Sequence, residues 1–90
     1  MNNEEKELAD VRRYLVLDIY RDEGTLLEDE YEEMVEILKN NQRAQAIEKA
    51  KYLNIIGKLS TENYIKTIEY YADYPKEKEL SLVFKTSNNS

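Results

Sequence analysis

Apolar residues recur every three or four positions along most of the chain, which is the spacing of one face of an α-helix. The pattern predicts helices at about 4–23, 27–40, 43–56 and 61–73. The first predicted helix is apolar almost all round between Tyr14 and Tyr20, which is typical of a central helix that contacts several neighbours. The β-branched and aromatic content of this run would also suit a strand. Its length favours the helix.

Each predicted helix carries an apolar stripe that we expect to be buried. The four stripes are, in order, Leu8, Val11, Leu15 and Ile19; Tyr31, Met34, Val35 and Leu38; Ala46, Ile47, Ala50, Leu53 and Ile56; and Tyr64, Ile65, Ile68, Tyr71 and Ala72. The fold class predicted from them is all-α: a compact four-helix bundle of two helical hairpins in a single domain of residues 1–90. The pattern at 76–85 allows a short fifth helix or a strand, and the polar ends 1–3 and 86–90 are expected to be disordered.

The only two glycines of the chain, Gly24 and Gly57, stand where the first and third predicted helices end. A left-handed residue just past a helix lets the chain turn back and pair the last carbonyls, and glycine adopts this conformation without steric cost. After Gly57, Ser60 is a good N-cap for the next helix. Leu59 and Tyr64 would then contact each other as a hydrophobic staple.

Two registers remain open after Gly24. Thr25 and Glu28 have the spacing of a capping box, whereas Leu26 and Tyr31 have the spacing of a staple in the register of the second joint. The two joints share Gly, Leu and Tyr at an offset of 33 residues, a period typical of helix-turn-helix repeats, although two copies are fewer than the roughly three that a solenoid needs. We favour the interpretation that helical hairpins converge on Gly-x-Leu joints. The second joint resembles the short G-x-[LI]-[ST]-x-E-x-[YF] hairpins of several small bacterial and phage modules, but it identifies no family.

Composition excludes most chemistry. The 90 residues include no Cys and no His, so thiolate and imidazole chemistry are excluded. No glycine-rich phosphate loop and no nucleophile elbow occurs. If Gly24 stood at the sixth position of a calcium loop, Ile19 and Arg21 would occupy positions that need oxygen ligands, so calcium is rejected there. We expect no enzymatic activity, no metal and no cofactor.

Charge and hydropathy limit the partners. The formal net charge of −6 argues against direct binding of nucleic acid. No apolar run approaches the roughly eighteen residues of a membrane span, and the acidic N-terminus does not resemble a signal peptide. We therefore expect a cytoplasmic protein that has no membrane partner.

Two groups of residues are candidates for binding another protein. The first is the acidic block from Asp22 to Glu36, which holds eight acidic residues and no basic one. The second is a set of eight tyrosines, of which Tyr70 and Tyr74 lie one turn apart and off the predicted buried stripe; tyrosine is enriched at interfaces. The predicted partner-binding residues are Glu28, Asp29, Glu32, Glu33, Glu36, Tyr70 and Tyr74.

These observations predict a small acidic, non-catalytic protein-binding module, an inhibitor or regulator of the phage or plasmid type that docks on a basic protein surface. One alternative is a homodimeric self-association module, built by spare apolar surface on the first helix and the C-terminal segment. Another is a helical bundle like those of bacteriocin immunity proteins.

Overall fold

The computed structural model describes residues 3–72, and 86% of them are helical, with no strand in this range. The helices are α1 (Asn3–Glu23), α2 (Glu28–Asn40), α3 (Gln42–Ile55) and α4 (Thr61–Ala72). The all-α prediction is confirmed, and each observed bound lies within one residue of the predicted one. The strand alternative for residues 14–20 is wrong, because this run lies inside α1. The ambiguous segment 76–85 lies outside the described residues.

The chain divides into two compact units, Met1–Ala46 and Ile47–Ser90, with the boundary inside α3. In the first unit, α1 and α2 run antiparallel. Arg13 near the middle of α1 meets Glu33 of α2, while Glu7 near the start of α1 meets Asn41, just past the end of α2. An earlier residue of α1 therefore contacts a later residue at the end of α2, as expected for antiparallel helices.

The two glycine joints have the same hydrogen-bonded geometry. Gly24 has φ 77° and donates its amide to the Arg21 carbonyl at 3.2 Å, while the next amide, of Thr25, reaches the Tyr20 carbonyl at 2.9 Å. This pair of bonds is a Schellman motif, which pairs the last carbonyls of α1. Gly24 therefore ends α1 and reverses the chain into α2, as predicted.

The second joint repeats this motif 33 residues later. Gly57 has φ 81° and bonds the Asn54 carbonyl at 3.0 Å, and the Lys58 amide bonds the Leu53 carbonyl at 2.8 Å. The Asn54 side chain adds a further link, since its amide donates to the Leu59 carbonyl at 2.9 Å. The two glycines 33 residues apart therefore end their helices with the same capping motif.

The helices that follow the joints are capped differently. The Ser60 hydroxyl accepts the Asn63 amide at 3.1 Å, which confirms the predicted N-cap of α4. The N-cap of α2 is Leu27, so the register of the second joint holds and the Thr25 capping box is wrong. Leucine has no acceptor, and only half of a capping box remains: the Glu30 carboxylate accepts the Leu27 amide at 3.0 Å.

Asn41 connects three helices in a way that the sequence did not predict. Its side-chain oxygen accepts the Ala44 amide at 3.0 Å and so caps α3, and its side-chain amide donates to the Glu7 carbonyl of α1 at 2.9 Å. Asn41 is fully buried between the end of α2 and the start of α3. Among the described residues, no buried side-chain polar atom lacks a partner.

Burial departs from the predicted stripes at several positions. Ile19, Tyr31, Ile56 and Ile65 were expected to be buried and are exposed, whereas Tyr14, Leu17, Ile37 and Ala44 are buried instead. In α1 the buried positions run at three-residue steps, which turns the buried face by about 60° at each step. The reason is that α1 meets both α2 and the start of α3, so its buried surface is wider than a single stripe.

Candidate docking surface on α2

The five predicted acids of α2 are all exposed, but they do not form one equivalent set. Glu28, Glu32 and Glu36 follow one another at intervals of four residues, so they lie on one strip of the helix. Asp29 and Glu33 lie on the neighbouring strip. Helical spacing alone would place both strips away from the buried side of α2, but Glu33 departs from this arrangement.

Glu33 faces α1 and forms an ion pair with Arg13. The two side chains are joined twice, Nε to Oε2 at 2.8 Å and Nη2 to Oε1 at 3.0 Å, which is the two-bond geometry that arginine and carboxylate favour. The hydrogen bond from Arg13 lowers the pKa of Glu33 below its ordinary value. Glu33 therefore connects two helices and is less available to a partner than sequence spacing predicted.

Three other acids of α2 accept hydrogen bonds close to their own position. Glu30 accepts the Leu27 amide at the start of the helix, and Asp29 accepts the Glu30 amide at 3.0 Å. Glu36 accepts the side-chain amide of Asn40, one turn later, at 2.9 Å. These bonds hold the carboxylates at the two ends of α2 without neutralising their charge.

Glu28 and Glu32 differ from these neighbours. Both are exposed, and neither has an ion pair or side-chain hydrogen bond with any residue between 3 and 72. On the side of Glu28 and Glu32 away from Asp29 lie two exposed apolar side chains, Leu27 and Tyr31, one turn apart. The free carboxylates thus border an apolar surface.

A groove of about 650 Å³ lies between α1 and α2 in the first unit. Its charged walls are one lysine and four acids, and Lys6 is paired with Asp10 at 2.8 Å. The lining residues are Asn3, Lys6, Glu7, Asp10, Glu33, Glu36, Ile37, Asn40 and Asn41. Because Glu33 is held by Arg13 and Glu7 accepts a hydrogen bond from Arg43, much of this charge is balanced within the unit.

The structure describes only one of the two predicted binding tyrosines. Tyr70 is exposed on α4, in the second unit, and its ring meets that of Tyr71 edge to face at a centroid distance of 4.9 Å. Tyr74 lies outside the described residues. The interface role of both tyrosines stays a prediction.

The sequence missed three features of this surface. Leu27 could have been recognised, because a leucine occupies the position that corresponds to the capping Ser60 in the second joint. Tyr31 could not, because its spacing from Met34 and Val35 fits a buried stripe as well as an exposed one. Arg13 likewise carried no local signal, since its partner is twenty residues away.

Within the described range, no group of three or more carboxylates is arranged to hold a metal ion. None of the four helices combines the length and the apolar composition that crossing a bilayer requires. No protein-family model matches the chain, and no curated protein and no solved structure is detectably similar to it.

Proposed function

We propose that the chain is a non-catalytic protein-binding module that docks on a basic surface of another protein through the exposed carboxylates of α2. The observation that carries the proposal is the contrast within one helix between Glu33, held by Arg13, and the unpaired Glu28 and Glu32. Like charges one turn apart weaken a helix slightly. A surface that keeps them suits recognition of an opposite charge, because it speeds association and selects partners.

The class of protein that fits this surface is a small cytoplasmic inhibitor or regulator of the phage or plasmid type. Two features support this assignment. The chain is short and acidic, and it is rich in Lys, Asn, Ile and Tyr while holding only two glycines and one proline. Such composition is associated with AT-rich bacterial genomes and the elements they carry.

The test uses a synthetic lysine-rich peptide as the probe for a basic surface. We expect the peptide to bind the protein in a titration, with affinity that falls as salt rises from 50 to 500 mM, because salt screens exposed charges. Glu28→Gln/Glu32→Gln should weaken binding about tenfold, which corresponds to two exposed contacts of up to about 1 kcal/mol each.

The matched control is Glu62→Gln/Glu69→Gln on α4, which changes the net charge by the same amount at another place. If both double variants weakened binding equally, net charge alone would explain the attraction and the α2 surface would have no special role. Glu33 is left out of the tested set, because replacing it would remove the Arg13 ion pair as well as a surface charge.

A further inference from the structure

The described chain carries two exposed apolar faces whose bordering charges have opposite signs. The first, here called the acidic apolar face, consists of Leu27, Glu28, Tyr31 and Glu32. The second, the basic apolar face, lies at the end of α3 and in the following turn and consists of Lys49, Tyr52, Ile55, Ile56 and Lys58. Their apolar members are 61% (Leu27), 55% (Tyr31), 60% (Tyr52), 69% (Ile55) and 44% (Ile56) exposed.

Leu27 points to a role outside the fold of the single chain. It stands at the N-cap of α2, where Ser, Thr, Asp or Asn would satisfy an unpaired amide and leucine cannot. Its side chain is also exposed, so it gains little from burial within the chain. A residue that breaks a local stability rule without a gain in packing is expected at a functional position.

The basic apolar face has the complementary layout. Lys49 precedes Tyr52 by three residues on α3. Ile56, the first residue past the helix, follows Lys49 by seven and its amide still bonds the Tyr52 carbonyl at 3.1 Å, so the three lie on one side. Lys58 follows in the turn after Gly57. Both lysines are exposed, and neither forms an ion pair with another residue of the described range.

We propose that the acidic apolar face of one molecule binds the basic apolar face of a second copy. The charge distribution supports this occupant: residues 3–46 hold thirteen acidic and six basic side chains, against three acidic and four basic ones in residues 47–72. Burying the apolar side chains provides affinity, and the opposite charges fix the direction of the contact.

Because the two faces differ, the contact is head-to-tail. A bound pair of copies then keeps one free face of each kind, so association continues to a closed ring or a chain of molecules. A second copy on α2 would also cover Glu28 and Glu32. Self-association would then compete with the binding of another protein at these two carboxylates. The competition rests on the proposed function, whereas self-association itself does not.

The first measurement is the weight-average mass of the full chain by light scattering, from about 10 μM to about 1 mM at low salt, a range suited to weak contacts. We expect the mass to rise with concentration above the 10.7 kDa of a single chain and to fall back when salt is added. A mass that stays at that of a single chain over the whole range would overturn the proposal.

The second measurement uses two variants that each lose one face. Leu27→Ser/Glu32→Lys changes the acidic apolar face, and Lys49→Glu/Tyr52→Gln changes the basic one. Each variant alone should self-associate about tenfold more weakly or not at all, the usual effect of removing an interface tyrosine or its equivalent. Mixed in equal amounts, they should form dimers and nothing larger, because one intact face of each kind remains in the mixture.

A mixture that stays monomeric would overturn head-to-tail binding, as would association of either variant at the strength of the original chain. The single variant Leu27→Ser separates weaker association from loss of the fold. Because serine adds an N-cap, this variant should melt no lower than the original chain and yet self-associate less. Peptide binding by Lys49→Glu/Tyr52→Gln, whose α2 is unchanged, tests the proposed function separately from self-association.

Discussion

Gly57 shows how one position directs the chain. Its φ of 81° lies in the left-handed region. A residue with a side chain adopts this region only at a cost in free energy, and that cost is highest for β-branched residues. An added Cβ at Gly57 would meet no atom within 4 Å, so the cost of substitution comes from the backbone and not from crowding. The same holds for Gly24.

We therefore predict that Gly57→Val lowers the free energy of unfolding by more than about 1 kcal/mol, since valine is forced to a positive φ. Gly57→Asn should lose clearly less, because asparagine tolerates the left-handed conformation and the space beside the backbone is open. Urea unfolding of the three proteins measures the difference. Equal losses for Val and Asn would show that helix propensity, and not the sign of φ, determines the effect.

At the scale of helices, Asn41 joins the start of α3 to α1, beside the hydrogen bond from Arg43 to Glu7. It caps α3 and donates to the backbone of α1 from a buried position. Asn41→Ala should lower the free energy of unfolding by about 2 kcal/mol, from the lost cap and the carbonyl bond together. The control is Asn40→Ala, which removes two exposed hydrogen bonds within α2 and should lower the free energy of unfolding much less.

The Arg13–Glu33 pair makes a second link between α1 and α2, and it is sensitive to pH. Its hydrogen bond holds the pKa of Glu33 below the ordinary value, so the pair stabilises the folded chain above that ordinary pKa. This contribution is lost as pH falls through the lowered pKa. The original chain should therefore melt higher than Glu33→Gln at neutral pH, and the difference should close well below about pH 4.

Glu32→Gln is the matched control for this titration, because Glu32 has no partner among the described residues. At neutral pH, removing the Glu32 carboxylate should change the melting temperature much less than removing the Glu33 carboxylate. If the two glutamine variants gave the same pH profile, the contact between Arg13 and Glu33 would contribute nothing that the charge alone does not.

For the whole molecule, the helices already account for a large share of the chain. They hold 21, 13, 14 and 12 residues, which is about two thirds of the 90 and well above the usual third of a globular protein. Far-ultraviolet circular dichroism should accordingly show more than about 60% helix. A spectrum dominated by sheet would contradict both the structure and the pattern of apolar residues.

The sequence by itself determined the helices and their joints, because these depend on interactions over one or two turns. Helical spacing set the four segments, and Gly24, Gly57 and Ser60 act on carbonyls and amides at most five residues away. The acidic character of α2 is equally local. Such features need no knowledge of what each helix packs against.

Tertiary structure decided which side of each helix is buried and which charges are free. A helix that is apolar on several sides fits more than one stripe, and only its neighbours select among them, which is why Tyr31 is exposed and Ile37 is buried. The bond between Arg13 and Glu33 spans twenty residues, and that of Asn41 to Glu7 spans thirty-four. Contacts between residues so far apart in the sequence depend on how the helices pack. They also distinguish Glu33, which is paired with Arg13, from Glu28 and Glu32, which have no partner among residues 3–72.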